Sequence, residues 1–176
     1  MQYKGPDGWA GSISGAGGAA GDAYWLFGNL YEEVVIGPNW LVNSRDQLQR
    51  LHGFFVRTGP ATYFVPISFL APLLVWLAHA LLRRTPAARQ LRRASLFALL
   101  ATMVNAIIVT SIVTRLFGDG YAGLSDTTVH ALCLRWNILN AVRMMFTGTT
   151  ACWLFATFRR LDRACGGPTV QTGATA

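Results

Sequence analysis

With 176 residues, 52% of them apolar and only 13% charged, the chain has the length of one domain and a composition displaced from soluble towards membrane usage. Its net charge of +7 does not mark a nucleic-acid partner, because the basic residues gather beside apolar runs and form no aromatic-interleaved patch on a soluble module. Cys133, Cys152 and Cys165 have no paired spacing, which argues against a disulfide framework and against a cysteine zinc motif.

Residues 1–18 are rich in Gly and Ser and read as a flexible N-terminal segment. Lys4 is followed by small residues instead of a compact apolar stretch with a cleavage site, so no signal peptide is expected. Gly15, Gly17 and Ala20 match a loose Gly-x-Gly-x-x-Ala dinucleotide loop. No strand precedes them and no βαβ unit follows, which discards the match.

A membrane domain is expected over 19–160, followed by a flexible tail at 161–176. Its first span, about 19–37, is the weakest: Asp22, Glu32 and Glu33 interrupt it, and its longest uncharged run is Ala23–Tyr31. Hydropathy alone fits an interfacial segment as well as a span. In 41–55, Leu41, Leu48, Leu51 and Phe55 share one helical face while Arg45, Gln49 and His52 share another. That pattern predicts a short interfacial helix between the first and second spans, with Asn43 or Ser44 as its cap.

The second span, 60–82, carries no formal charge and contains Pro66 and Pro72, which should kink it. The third, about 94–117, opens on the uncharged run Ala94–Thr114 and contains Asn105, best read as one end of an interhelical hydrogen bond. The fourth, 136–158, is apolar except for Arg143. An arginine at such a depth costs roughly 2.5–3.5 kcal/mol on insertion scales, so it faces a polar interior and needs a partner. Trp136, Asn140, Arg143, Thr147 and Thr150 recur at spacings of three and four and therefore share a face. The fold class expected is all-α, a polytopic membrane four-helix bundle.

Arginine bias sets the orientation. Arg83, Arg84, Arg89, Arg92 and Arg93 fill one connector, and Arg159, Arg160 and Arg163 follow the last span. Both regions should be cytoplasmic, with both termini on that side and 37–59 and 115–135 outside. Fourteen arginines against one lysine fit a GC-rich bacterial coding bias and hence a bacterial inner membrane. Membrane lipids are the expected partners, together with a lipophilic small molecule. Self-association is compatible with the sequence.

This topology brings Glu32, Glu33, His52, Tyr63, His130, Asn140 and Arg143 to the outer end. The bland reading of Arg143 is a structural ion pair with Glu32 or Glu33, which stabilises the bundle without chemistry. The bland reading of His52 and His130 is an interfacial position, and that of Trp25, Trp40, Trp76 and Trp153 an aromatic belt. Functionally, Glu33 or His52 would be a base, with Asn140 and Arg143 stabilising a developing oxyanion. Trp136, Tyr63 and Glu32 would contact substrate. A metal held by His52, His130 and Glu33 is a weaker alternative, since no tight His spacing supports it. The residues name no cofactor.

Gly28–Tyr31 followed by Glu33 and Pro38-Asn39-Trp40, and Arg135-Trp136-Asn137-x-x-Asn140-x-x-Arg143 opening the last span, resemble the anthrone-oxygenase-like family of small four-helix membrane proteins. The resemblance covers most of 20–160. It implies a four-span fold and, for a few members from polyketide pathways, oxidation of anthrones to anthraquinones without an obvious cofactor. Trp136, Asn140 and Arg143 are the matching positions, with Glu33 and Pro38 in the first-span element. The long outer segment at 41–59 departs from the compact family pattern. A non-catalytic ligand-binding protein, or a subunit of a larger membrane complex, is the alternative function.

Overall fold

The computed structural model describes residues 6–165, and all regular structure among them is helical. Helix α1 (Pro6–Tyr31) continues through a π-helical turn, Glu32–Ile36, into a last turn, Gly37–Trp40. A short helix, α2 (Ser44–Phe54), follows. The long helices α3 (Pro60–Leu82) and α4 (Ala88–Ile108) come next, and α4 runs on through a second π turn, Val109–Val113, to Leu116. A 3-10 turn at Asp119–Gly123 leads into α5 (Asp126–Cys165).

The four long helices form a square in which α1 packs on α3, α3 on α4, α4 on α5 and α5 on α1. Helix α2 lies across the end of this square that holds Trp40 and Trp136. Its Leu48 is fully buried there with Trp40, Ile112, Leu116 and Trp136. Burying one such leucine contributes roughly 1.5–3 kcal/mol, enough to dock a short helix.

Between the long helices, small and polar side chains are buried beside large ones such as Trp25, Leu91 and Ile108. Ala71, Ala78, Ala94, Ala98 and Ala101 are buried, as are Asn29, Asn140, Arg143, Thr147 and Thr150. Other large apolar chains point outward: Phe27, Phe69, Met103, Met145 and Phe155 are all more than half exposed. Such outward chains occur on all four long helices. By length and composition alone, two of them, Pro60–Leu82 and Ala88–Leu116, are apolar enough to cross a membrane.

Several boundaries differ from the sequence reading. Helix α1 begins at Pro6 and takes in most of the segment expected to be flexible, while residues 1–5 and 166–176 lie outside the described part. The arginine-rich connector shrinks to 83–87, because Arg89, Arg92 and Arg93 already belong to α4. Arg93 lies over the Trp153 ring, 4.6 Å from its centroid. Helix α5 starts ten residues before the expected span, at Asp126, where Ser125 Oγ accepts the Thr128 N–H. Asn43 does precede α2, but its backbone is left-handed (φ 50°) and its side chain makes no cap bond. Helix α3 runs through both Pro66 and Pro72. Trp25 and Trp40, assigned to an aromatic belt, are buried instead, 1% and 4% exposed, because both lie on interior faces of the α1 segment.

Candidate functional site

Arg143 is the centre of a polar waist. It is 5% exposed, and its guanidinium donates from Nη1 to Asn105 Oδ1 and from Nη2 to the Oδ1 atoms of Asn29 and Asn140. Three helices thus converge on one cation: α1 through Asn29, α4 through Asn105 and α5 through Asn140. The ion pair expected between Arg143 and Glu32 or Glu33 is not made, since the only ion pair among the described residues is Arg45–Asp126. Amide oxygens from three helices stand where a directly bonded counter-charge was expected around the guanidinium. The Nε–H of Arg143 is left without a partner.

Glu32 and Glu33 separate as their 100° spacing predicts. Glu33 is tied to α5, where its Oε2 accepts from Asn140 Nδ2 at 2.6 Å. Glu32 is buried and turned the other way, into a cavity of about 410 Å³ that Arg143 also lines. The π turn closes where the Gly37 N–H reaches back five residues to Glu32 O, which keeps Gly37 and Trp40 on the same buried side as Asn29 and Glu32. Gly37 is required at that point, because a Cβ there would sit 2.3 Å from Asn137 Oδ1. The second π turn borders the same cavity through Val109 and Val113. Such turns are rare and concentrate at functional sites.

The rest of the cavity is apolar and aromatic. Trp40 and Trp136 pack with tilted rings, centroids 4.6 Å apart and planes at 46°, and form one wall. Phe64, Phe117 and Phe55 form others, while Ser68 and Asn105 add polar groups. His52 reaches it from α2, with Phe117 and Tyr121 each 5.1 Å from its ring. Arg45 shares a side of α2 with His52, both lying against Tyr121: it donates to Asp126 and to Leu124 O and lies 5.5 Å from the Tyr121 centroid, fixing α2 to the 121–126 segment.

Of the residues singled out from the sequence, Glu32, His52, Trp136 and Arg143 line this cavity, while Asn140 and Glu33 support it from behind. Tyr63 is on another face, where its hydroxyl donates to Tyr24 O and its ring covers Gly28. His130 lies elsewhere, 3.1 Å from Ser44 Oγ. The metal alternative is therefore not assembled: His52, His130 and Glu33 do not converge, and no three such groups cluster among the described residues. Asn29 and Trp40 were missed. Asp22, Trp25, Asn29 and Glu32 follow helical spacing and are all buried, so the polar face of α1 was readable.

What this arrangement can do is specific. A desolvated carboxylate and a desolvated guanidinium share a mostly apolar space without quenching one another. Together they can take a proton from a weakly acidic group and hold the resulting oxyanion. No protein-family model matches this sequence, and no curated protein or solved structure is significantly similar to it.

Proposed function

We propose that the chain is a four-span membrane protein whose cavity binds a flat, lipophilic molecule with an acidic C–H group conjugated through an aromatic ring to a carbonyl and oxidises it with dioxygen. The observation that carries this reading is the pair Glu32 and Arg143, which line one cavity and do not bond to each other. The outward-facing apolar side chains of α1 and α5 support spans there as well as in α3 and α4. The arginines at 83–93 and 159–163 support a cytoplasmic position for that end, which puts the cavity in the outer half of an inner membrane.

In this reading Glu32 is the base and Glu33, expected to be catalytic, positions Asn140. Glu32 removes a proton from the methylene carbon, and the oxygen of the resulting enolate is held by the Arg143 guanidinium that lines the cavity. The carbanion adds to dioxygen, and Glu32 returns its proton to the peroxide formed. Loss of water then breaks the second C–H bond and the O–O bond, leaving a ketone. One oxygen atom ends in the product and one in water. The resemblance to anthrone oxygenases supports this substrate class, and the aromatic lining of Trp40, Trp136, Phe64 and Phe117 suits an aromatic ring system.

Wild-type protein in lipid nanodiscs, supplied with anthrone, should consume one dioxygen per anthraquinone formed. Losing one oxyanion donor typically costs 10²–10³ in rate, so Arg143→Met should lower turnover about a hundredfold or more. Glu32→Gln should do likewise, whereas Glu33→Gln should keep most activity. Turnover that survives both Arg143→Met and Glu32→Gln would refute the assignment. The second reading is a non-catalytic receptor, favoured by the rigid asparagine collar that holds Arg143. It predicts anthrone binding without oxygen uptake.

A further inference from the structure

We infer that the cavity is loaded sideways from the bilayer, through the cleft between the outer halves of α3 and α4, and that its ligand is an amphiphile whose apolar tail stays in that cleft. The inference rests on the reading of the cavity as a ligand site. Its back wall is closed by α1 and α5, which contribute Glu32, Trp136 and Arg143, all less than a tenth exposed. The roof is occupied by α2 and the following segment through His52 and Phe55. The remaining side is bounded by α3 and α4.

On that side the lining residues do double duty. Val65 of α3 and Val109 of α4 both line the cavity and are 54% and 42% exposed at the surface. His52, Ala61 and Phe117 meet both conditions as well, so the rim runs from the α2 end down to Val65 and Val109 between the two helices. The two helices pack tightly from their other ends, where Val75, Ala78 and Leu82 bury with Leu91, Ala94 and Ala98, as far as Ala71 and Ala101 at mid-helix. The exposed neighbours one turn from the rim are Phe69 beside Val65 and Ala106 beside Val109, so the mouth opens among apolar side chains.

Local backbone favours an opening here. Pro66, next to Val65, removes one hydrogen bond from α3. The α4 side of the rim is the π turn that begins at Val109, where the ladder is already widened to five residues. Polarity then sets the ligand's orientation. The charged groups are at the closed back and the valines are at the mouth, so an acidic oxygen enters first and an apolar tail trails between the helices. The class is a membrane-dissolved aromatic phenol, enol or ketone carrying an alkyl or prenyl chain.

The test uses the full chain in nanodiscs with two probes, 1-hydroxypyrene and a dodecyl derivative of it, and binding is read as energy transfer from tryptophan. Wild type should bind both, and Arg143→Met should abolish both. Filling the mouth with Val65→Trp and Val109→Trp should slow association of the tailed probe at least tenfold, while Val65→Ala with Val109→Ala should speed it. If neither rim variant shifts that rate by more than twofold while Arg143→Met still abolishes binding, the cavity reading stands and lateral entry is overturned. If Arg143→Met binds like wild type, or wild type binds neither probe, the cavity reading falls and this inference falls with it.

Discussion

Severing the bond between Asn140 and Glu33 measures how α1 is held against α5. The amide donates to a carboxylate at 2.6 Å, with Asn140 fully buried and Glu33 partly so. A hydrogen bond to a charged group contributes about 1.5–3 kcal/mol in water-soluble proteins. Between membrane helices such bonds average about 0.6 and reach about 1.7 kcal/mol, because the separated helices find other partners. The short, charge-assisted geometry belongs at the upper end of that range. A double-mutant cycle of Asn140→Ala and Glu33→Ala should therefore return a coupling of about 1–1.7 kcal/mol, roughly 5- to 20-fold in the unfolding constant. The assay is reversible unfolding in mixed micelles, followed by tryptophan fluorescence. The parallel cycle of Asn140→Ala with Glu32→Ala should give less than about 0.5 kcal/mol, since Glu32 faces the cavity. A Glu33 coupling below about 0.5 kcal/mol, or an equal one for Glu32, would refute the division of labour between the two carboxylates.

Gly37→Ala should destabilise wild type by about 1 kcal/mol, because its Cβ collides with Asn137 Oδ1. In an Asn137→Ala background the same change should stabilise by about 0.5–1 kcal/mol through helix propensity, a reversal of sign that thermal melts would detect. Arg45→Ala should raise amide hydrogen exchange across Ser44–Phe54 by about 5- to 30-fold, or ~1–2 kcal/mol, without loosening the long helices. Asp126→Asn should change it less than about threefold, since Asp126 is 81% exposed and such an ion pair contributes little. Burial pushes the Cys133 thiol up to about 11, against a weaker opposing bond from Ser44. With Cys152 and Cys165 replaced by Ser, its modification by N-ethylmaleimide should be slow at pH 8 and rise about tenfold per pH unit towards 11. A rate at pH 8 equal to that of the unfolded chain would contradict the buried placement.

Much of this architecture was legible. Pro60 at the first helical position and Arg83 just past the end bracket α3, and the expected 60–82 matches Pro60–Leu82. The interior face of α5 was also readable: Trp136, Asn140, Arg143, Thr147 and Thr150 are all buried. What pattern reading missed was the partner of Arg143. Charge rules favour a carboxylate, whereas Asn29 and Asn105 lie 114 and 38 residues away and carry no charge to betray them. The early start of α5 was hidden by its polar first turns, where Asp126, His130 and Arg135 break the apolar run that marked the span. The π turns left no compositional trace, because one added residue in a helical turn changes phase and not chemistry.

That phase has a consequence for insertions and deletions in this chain. Each residue of an α-helix advances it by about 100°, so the π turn at Glu32–Ile36 acts as a one-residue frame shift between the two ends of α1. Deleting one residue within it would restore a continuous α-helix. Because a π turn holds one residue more than an α turn, the deletion would leave the half holding Asp22, Trp25 and Asn29 in phase with the half holding Gly37 and Trp40, all of them buried. An insertion or deletion in the regular turns on either side would instead rotate one half against the other by about 100°. Tolerance to a change of length in this helix is therefore concentrated at the wide turn.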